Sequence, residues 1–191
     1  MLTLLRGATN SFKTTFANRF FSDISILSID NVRHMLFGSY YYYEEEALVS
    51  RYFYTVIRSR IKHGLDTIID STNLHADHMR QFINTANRFE DDYIIVSLRR
   101  DVKEAVDGSL VRGTPLLTNE SIRKQHSNYD KYLPEVIEKY GDHFYEFVVT
   151  DEESLDDVYL EYKQIVKIRN KDEAILRSNK ESHARRCNQG R

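Results

Sequence analysis

The first fifteen residues constrain this chain more than any other segment. Residues 1–5 form a short apolar run, and residues 7–15 read GATNSFKTT. This segment matches the phosphate-binding pattern G-x-x-x-x-G-K-[ST] except at its second glycine, where the chain has Phe12. A loop of this kind wraps consecutive backbone N–H groups around an anion at a helix N-terminus, where the helix dipole adds positive potential. The motif therefore predicts a strand, a phosphate-binding loop and a helix, in that order.

Each part of the motif has a chemical task. We expect Lys13 to reach the β- and γ-phosphates of a nucleotide and Thr14 to place its hydroxyl on Mg²⁺. A glycine at the second position lets backbone and phosphate approach without a Cβ, so the phenyl group of Phe12 must point away from the nucleotide. The residues expected to bind the nucleotide are Gly7, Ala8, Thr9, Asn10, Ser11, Phe12, Lys13, Thr14 and Thr15. The alternative is a polar strand-to-helix turn in which the Lys-Thr pair is incidental.

Composition places the chain among globular proteins. Hydrophobic residues make up 41% of its 191 residues and charged residues 29%, which is ordinary for a globular domain. No run approaches the roughly 20 apolar residues of a membrane span, and Arg6 interrupts the N-terminal apolar run, so we expect no membrane partner. The single cysteine, Cys187, excludes an internal disulfide framework. We therefore expect a cytoplasmic protein, in the host cytoplasm if the chain is phage-encoded.

Strand and helix patterns alternate along the rest of the chain. The expected strands are residues 1–5, 24–29, 65–70, 93–98 and 144–149. The expected helices are residues 14–21, 31–37, 44–63, 73–89 or 77–89, 101–111, 119–132 and 155–168. Strands separated by helices of this length indicate a parallel sheet. The predicted fold class is therefore α/β, a P-loop NTPase-type parallel sheet with helices on both faces.

Polar side chains follow the carboxyl ends of the predicted strands, where ligands bind in sheets of this type. Asp30 ends the second strand, and Arg33 lies one helical turn further on. Residues 70–73, the sequence Asp70-Ser71-Thr72-Asn73, end the third strand, and residues 97–101 end the fourth. Taken singly, Asp30 reads equally well as a helix N-cap, and residues 72–73 as a simple turn. Their occurrence at successive strand ends beside a phosphate loop favours a shared site.

Four segments together resemble the kinase domain of bacteriophage 5′-polynucleotide kinase and related small P-loop kinases. They are residues 7–15, 28–33, 68–74 and 111–133. Their order and spacing match those of the family, as do their residue types. The resemblance covers about residues 1–135. It implies a P-loop kinase domain over residues 1–170 with a helical lid at about 108–127, followed by a basic C-terminal tail, 171–191.

The resemblance also implies roles for individual residues. Asp30 corresponds to the general base, and Arg112 to the lid arginine that closes on the transferring phosphate; with Lys13 they form the expected catalytic set. Asp70 is expected to order Mg²⁺ through water or to face the acceptor. The residues expected to bind the acceptor are Arg33, Asp70, Ser71, Thr72, Asn73 and Arg80. Arg80 is the weakest of these, since a surface helix arginine explains it equally well.

The chain departs from the family pattern at three positions. Phe12 replaces the loop glycine, Gly108 stands where the lid often carries a second arginine, and Ser71 separates Asp70 from the Thr-Asn pair. The departures bear on nucleotide affinity, rate and substrate respectively.

The resemblance predicts transfer of a phosphoryl group from ATP, with Mg²⁺, to the 5′-hydroxyl end of DNA or RNA, as in nucleic acid repair. Kinases of nucleosides, nucleotides or other small metabolites are the alternative, and a non-catalytic nucleic-acid-binding module is a third reading. Two features favour a polymer. Residues 163–191 carry nine Lys/Arg and three acids, a net charge of +6 that leaves −8 for residues 1–162; a solvated, partly disordered terminus explains this equally well. Tyr40–Tyr43 can stack on nucleobases, or two of them can pack on the long helix.

Overall fold

A computed structural model of the protein describes residues 1–112 and 118–189, with the backbone alone described for residues 109–112 and 172–189. The strands are β1 Leu2–Arg6, β2 Ile26–Leu27, β3 Thr67–Asp70, β4 Tyr93–Arg99 and β5 Phe144–Val148. The helices are α1 Lys13–Phe20, α2 Ile29–Phe37, α3 Glu46–Lys62, α4 Ala76–Arg88, α5 Val102–Arg112, α6 Asn119–Tyr140 and α7 Ser154–Gln189. Residues 1–152 form one compact unit and residues 153–191 a second.

The first unit is built on a parallel sheet in the order β2-β3-β1-β4-β5. Strand β1 lies in the middle, where Leu4 is aligned with Ile69 of β3 on one side and Ile95 of β4 on the other. All three side chains are fully buried, as in a sheet covered on both faces. The α/β parallel-sheet prediction is therefore confirmed.

Strand order reverses at β1, and this reversal positions the site. The chain leaves β1 towards β2 on one side and later returns through β3 to reach β4 on the other. Because parallel crossovers are right-handed, the two directions place their helices on opposite faces of the sheet. The loop after β1 thus opens at a topological switch point, where α/β sheets bind ligands.

The larger core lies between the sheet and the helices α3, α4 and α6. Aliphatic and aromatic side chains at helical spacing on α3, such as Phe53, Ile57 and Ile61, pack with Phe82 of α4 and Val136 of α6. Burial of each such side chain stabilises the fold by roughly 1.5–3 kcal/mol. This packing fixes α3 and α4 side by side against the sheet.

Two predicted elements, the second strand and the helix after it, differ from the structure. Strand β2 covers only Ile26–Leu27 because it is an edge strand, aligned with Ile68 and Ile69 of β3 alone. Helix α2 begins at Ile29, so Asp30 lies in its first turn. Asp30 therefore neither ends the strand nor caps the helix, but its charge there favours the helix dipole. Residue 28 is the N-cap instead.

Two helices run beyond their predicted ends. Helix α6 continues through Pro134 to Tyr140, because Val136 is fully buried in the core and this burial offsets the missing proline N–H. Helix α7 continues past residue 168 to Gln189, so the expected tail begins inside a helix. Residues 113–117, within the expected lid, lie outside the described residues. In the part of the chain that is described, no helix is long and apolar enough to cross a membrane.

A buried cation joins the strand ends in the first unit. The Arg6 side chain, at the end of β1, is 0% exposed. Its guanidinium donates to Ser97 Oγ at 3.2 Å, to the Leu74 carbonyl at 3.3 Å and to the Tyr129 carbonyl at 3.0 Å. It also lies 4.1 Å from the centroid of the Tyr129 ring. The Tyr129 hydroxyl in turn bonds Ser97 Oγ and the carboxylate of Glu146.

Replacement of Arg6 tests this network. We expect Arg6→Met to lower the free energy of unfolding by about 3 kcal/mol or more, because it leaves buried carbonyl groups without donors. The matched control is Arg99→Met. Arg99 is 45% exposed and pairs with Asp130 at 2.9 Å, a surface pair worth less than about 1 kcal/mol. Urea unfolding of both variants makes the comparison, and equal losses would refute a special role for Arg6.

Candidate active site

The loop between β1 and α1 begins at a glycine that the packing requires. The Gly7 N–H donates to the Thr72 carbonyl at 3.0 Å, which ties the loop to the end of β3. A Cβ at Gly7 would lie 2.6 Å from the backbone oxygen of Leu98 and 2.3 Å from Ser11 Oγ. No side chain fits at such distances, so the glycine allows the loop to pass close to β4.

Phe12 adopts the conformation of the glycine it replaces. Its φ is 63° and that of Asn10 is 61°, both in the left-handed region that favours glycine. The phenyl ring lies against the guanidinium of Arg100, 4.1 Å from the ring centroid. The same guanidinium donates to the Asn10 carbonyl at 3.0 Å. A cation–π contact of this kind contributes about 0.5–2 kcal/mol, enough to offset most of the backbone strain.

Gly108 leaves room for that guanidinium. A Cβ at Gly108 would lie 3.2 Å from Arg100 Nη1. The position where the family often carries a lid arginine is therefore packed against an arginine that arrives from the end of β4. Arg100 belongs to residues 97–101, the polar segment expected at the end of the fourth strand, but nothing in a single sequence distinguishes it from its neighbour Arg99.

Lys13 lies inside the loop. Its side chain is 8% exposed, and its ammonium donates to the Ala8 carbonyl at 2.7 Å and to Ser11 Oγ at 3.3 Å. The ammonium is thus held by two oxygen atoms of the loop, at the N-terminus of α1 where an anionic phosphate would be favoured.

Thr14 and Asp70 meet beside this lysine. The Thr14 hydroxyl donates to Asp70 Oδ2 at 2.7 Å, and Asp70 is 8% exposed. Burial raises the pKa of the Asp70 carboxyl above its usual value, and the negative charge of Asp30 raises it further. The Thr14 hydrogen bond and the Lys13 charge act in the opposite direction on this pKa. The structure thus brings Lys13, Thr14, Asp70 and Asp30 within electrostatic reach of one another.

This donor set fits Mg²⁺. A hydroxyl and a carboxylate within hydrogen-bond distance are hard oxygen ligands, and Mg²⁺ in nucleotide sites takes one or two such ligands along with phosphates and waters. Among the described residues, no group of three or more His, Cys, Asp or Glu side chains could hold a metal by itself. The hydroxyl and carboxylate of Thr14 and Asp70 fit an ion that also binds nucleotide phosphates.

Asp30 is held by Arg33 at the exposed rim of the site. Arg33 Nη1 lies 2.6 Å from Asp30 Oδ1, and Asp30 is 65% exposed. Arg33 itself is only 3% exposed, and it forms a bidentate pair with Glu46 at 2.8 and 3.1 Å. Nη1 also donates to the Tyr40 carbonyl at 3.0 Å. Hydrogen bonding to Glu46 is the main reason that the pKa of Arg33 is raised.

These partners differ from the expected contact of Arg33 with an acceptor phosphate. Glu46 lies thirteen residues away, on α3, and no local residue pattern indicates the pairing. In this structure Arg33 positions Asp30. Binding of a phosphate by Arg33 stays a prediction, and it requires Glu46 to give way.

Asn73 also differs from expectation, because its side chain is 2% exposed. Its amide donates to the Leu5 carbonyl at 2.7 Å, and its φ of 45° places it in a tight turn. Asn73 thus fastens β1 to the turn after β3. Its neighbours Ser71 and Thr72 are half-buried at the carboxyl edge, where they remain acceptor-site candidates.

Two remaining candidates lie elsewhere or outside the description. Arg80, on α4, is 65% exposed and pairs with Asp77 at 3.4 Å, as a surface helix arginine does. Arg112 is the last residue of α5, and its side chain is not among those described. Its role as a lid arginine stays a prediction.

Helix α6 contributes residues that the sequence did not single out. Gln125 Oε1 accepts from the Thr9 N–H at 3.0 Å, and His126 Nε2 donates to the Thr9 carbonyl at 3.2 Å. Burial lowers the pKa of His126, which favours the neutral imidazole. A polar pair in the middle of a predicted helix gives no signal of such contacts. In this structure α6 covers one side of the phosphate loop.

A cavity of about 320 Å³ opens beside the loop, at the carboxyl ends of β4 and β5. It is large enough for part of a small ligand. Its walls include Ala8, Leu98, Arg100, His126, Tyr129 and Val148.

The Tyr40–Tyr43 run packs mainly on α2. Tyr40 stacks on His34 with ring centroids 4.3 Å apart, Tyr42 lies 4.6 Å from Phe37, and the Tyr43 ring centroid is 4.7 Å from the Arg33 guanidinium. Tyr40, Tyr41 and Tyr43 are nevertheless at least 45% exposed. Stacking of these rings on bases stays a prediction.

Substitution at residue 12 separates strain from stacking. Phe12→Ala keeps the left-handed strain and loses the ring contact with Arg100, whereas Phe12→Gly loses both. We expect the glycine variant to be more stable than the alanine variant by about 1 kcal/mol, as measured by urea unfolding. Equal stability of the two would show that residue 12 is not left-handed in solution.

The buried carboxylate predicts a pH-dependent stability. Because the folded pKa of Asp70 is raised, protonation favours the folded state, and stability is lost as pH rises above the unfolded value of 3.8. Asp70→Asn removes the free-energy cost of burying the ionised carboxylate. We expect its Tm to exceed that of the wild type by a few degrees at pH 7–8, at about 2–4 °C per kcal/mol, with the difference shrinking towards pH 4.

The control for this measurement is the exposed Asp23→Asn, whose effect should stay within about 0.5 kcal/mol at every pH. An Asp70→Asn protein that is less stable than the wild type at pH 7–8 would contradict the assignment of a burial cost.

Comparison with known proteins agrees with this geometry. One solved structure, of the Pnkp1/Rnl/Hen1 RNA repair complex, is similar with a TM-score of 0.62 at 20% identity over 70% of this chain. The chain spans less than half, 45%, of that protein's length. A kinase described as putative from Chloroflexus aurantiacus matches with a TM-score of 0.60 at 15% identity, over 85% of this chain and 96% of its own.

Shikimate kinase from Acinetobacter baumannii, solved with shikimate, matches with a TM-score of 0.57 at 14% identity, over 88% of this chain and 93% of its own. These likenesses establish a P-loop kinase-like fold. A family described as an AAA domain matches residues 2–131, which include the phosphate loop, Asp30 and Asp70. This protein belongs to that AAA domain family.

Proposed function

We propose that this chain is an ATP-dependent kinase that phosphorylates the 5′-hydroxyl end of DNA or RNA. The observation that carries the proposal is the grouping of Lys13, Thr14, Asp70 and Asp30 at the carboxyl edge of the sheet. A phosphate loop alone supports nucleotide binding. An exposed carboxylate at the rim, held by a buried arginine, adds the group that an acceptor hydroxyl needs.

The residues that bind the phosphoryl donor are assigned from their charges. Phosphoryl transfer depends on positioning and electrostatic stabilisation more than on covalent chemistry. The loop N–H groups and Lys13 hold the β- and γ-phosphates, while Thr14 and Asp70 hold Mg²⁺. The ion supplies neutralisation of the phosphate charge when it is bound. Arg112, at the end of α5, is the proposed cation for the equatorial oxygens.

Asp30 acts on the acceptor side. Its carboxylate accepts the proton of the attacking hydroxyl. The 2.6 Å contact with Arg33 fixes its direction, and the Glu46 pair keeps Arg33 in place. Because Asp30 is exposed, an acceptor reaches it from solvent without displacing the core.

Two observations favour a polymer end as the acceptor. The rim beside Asp30 carries exposed tyrosine rings, which stack on bases without reading sequence. In addition, one structurally similar protein is described as part of an RNA repair complex. Residues 1–170 are proposed as the kinase domain, with residues 171–191 as a basic extension.

Transfer of labelled γ-phosphate from ATP tests the proposal. The acceptors are DNA and RNA oligonucleotides with 5′-hydroxyl ends, nucleosides, and nucleoside monophosphates. We expect an oligonucleotide to be the best acceptor by kcat/KM. Equal or better transfer to a small molecule would overturn the polymer acceptor, and transfer to none would overturn the kinase.

The general base gives a sharper prediction. Asp30→Asn should lower kcat by about 10²–10⁴-fold while ATP binding is retained, because an amide has the same shape but cannot accept the proton. Asp23→Asn, an exposed carboxylate near the start of β2, is the control and should keep full turnover. Substantial residual kcat in Asp30→Asn would reduce Asp30 to a structural partner of Arg33.

A further inference from the structure

An open groove runs between α3 and α4, away from the phosphate loop. Its volume is about 610 Å³. Four arginines and two aromatic rings are prominent among its walls. They are Arg51 and Arg58 on α3, Arg80 and Arg88 on α4, and the rings of Tyr54 and Phe82.

The groove concentrates positive charge that carboxylates do not neutralise. Arg51, Arg58 and Arg88 are exposed, and among the described residues none of the three side chains has an ion-pair or hydrogen-bond partner. Arg80 is partly balanced by Asp77, the one acid among the groove residues. Since residues 1–162 carry a net charge of −8, three free guanidiniums on one face do not follow from general basicity. They favour an anionic ligand.

The floor of the groove is aromatic. The Tyr54 and Phe82 rings stack with centroids 5.1 Å apart and planes inclined at 27°. Phe82 is buried while Tyr54 is half-buried, so part of this platform faces the groove. Arginines beside a partly open ring surface are typical of grooves that track single-stranded nucleic acid, because phosphates meet the cations and bases meet the rings.

The groove follows α4 from the carboxyl edge of the sheet towards the opposite edge. Helix α4 begins at Ala76, six residues after the end of β3 at Asp70, and ends at Arg88 before β4. Arg80 therefore lies near the carboxyl edge that holds the active site, and Arg88 near the opposite edge. Arg88 follows Arg80 by eight residues along α4, a rise of about 12 Å, so a short stretch of single strand can contact both.

We propose that this groove binds the sugar–phosphate backbone of single-stranded DNA or RNA, downstream of the end that is phosphorylated. The link to an acceptor end rests on the proposed function. Binding of a single strand in the groove does not depend on the proposed function, and it is tested separately.

The first test is binding of a labelled, 5′-phosphorylated oligothymidylate of about 12 nucleotides, followed by fluorescence anisotropy between about 50 and 200 mM salt. The variant is Arg51→Gln/Arg58→Gln/Arg88→Gln. Loss of three phosphate contacts should lower the slope of log K against log salt by about 2, and weaken binding on the order of a hundredfold near 0.1 M salt.

A matched variant removes the same charge elsewhere. Lys62→Gln/Lys103→Gln/Lys131→Gln changes three exposed lysines that lie outside the groove, and it should bind within severalfold of the wild type. Equal weakening in the two triple variants, or no weakening in the arginine variant, overturns the proposal. So does stronger binding of anionic phospholipid vesicles than of the oligonucleotide.

Two single variants keep the test conclusive if the triple variant misfolds. If the arginine triple variant fails to fold, as judged by circular dichroism, Arg51→Gln and Arg88→Gln are measured singly. Each should lower the salt slope by about 0.7, and unchanged slopes in both overturn the proposal.

Transfer assays separate the groove from the kinase. A dinucleotide acceptor is too short to reach Arg58 and Arg88, so the triple variant should keep its KM. The KM for the longer acceptor should rise at least tenfold at unchanged kcat. A KM that rises equally for both acceptors would show that the groove does not bind the strand downstream of the reacting end. Absence of transfer to any acceptor would overturn the proposed function. In that case the binding measurement alone tests whether the groove binds a single strand.

Discussion

The buried guanidinium of Arg6 is the interaction on which the candidate site depends. It carries its charge at zero exposure, and burial lowers its pKa, so it is tolerated only because carbonyl and hydroxyl groups surround it. Those groups belong to the turn after β3, to β4 and to α6. The next residue, Gly7, starts the phosphate loop. One cation thus fixes the origin of the loop and the helix that covers it.

The phosphate loop shows how a departure from a motif is accommodated. Phe12 has a left-handed backbone without being glycine, and its ring rests on Arg100. Arg100 also bonds the loop carbonyl of Asn10 and packs against Gly108, where a Cβ would lie 3.2 Å from its Nη1. Two of the departures from the family pattern, at positions 12 and 108, therefore contact the same guanidinium.

The features that could be predicted from the sequence are those that depend on local residue patterns. The alternation of strands and helices, the phosphate loop, and the polar residues at the carboxyl ends follow from periodicity and motif spacing. The roles of Arg33 and Asn73 did not follow, because a guanidinium or an amide is recruited by whichever acceptor the fold brings near. Glu46 and Leu5 are those acceptors, and both are distant in sequence. The contacts of Arg100, Gln125 and Arg6 could not be predicted for the same reason.

The donor and acceptor sides of the site are built on different elements, and Asp70 lies where they meet. Lys13 and Thr14 belong to the loop and α1, whereas Asp30, Arg33 and Glu46 belong to α2 and α3. Burial raises the pKa of Asp70 most, and the Asp30 charge adds to this effect, while Thr14 and Lys13 act to lower the pKa. A cation bound between Thr14 and Asp70 would offset the cost of burying the carboxylate charge. The burial of Asp70 therefore favours a site that is completed by a cation and by the phosphates that accompany it.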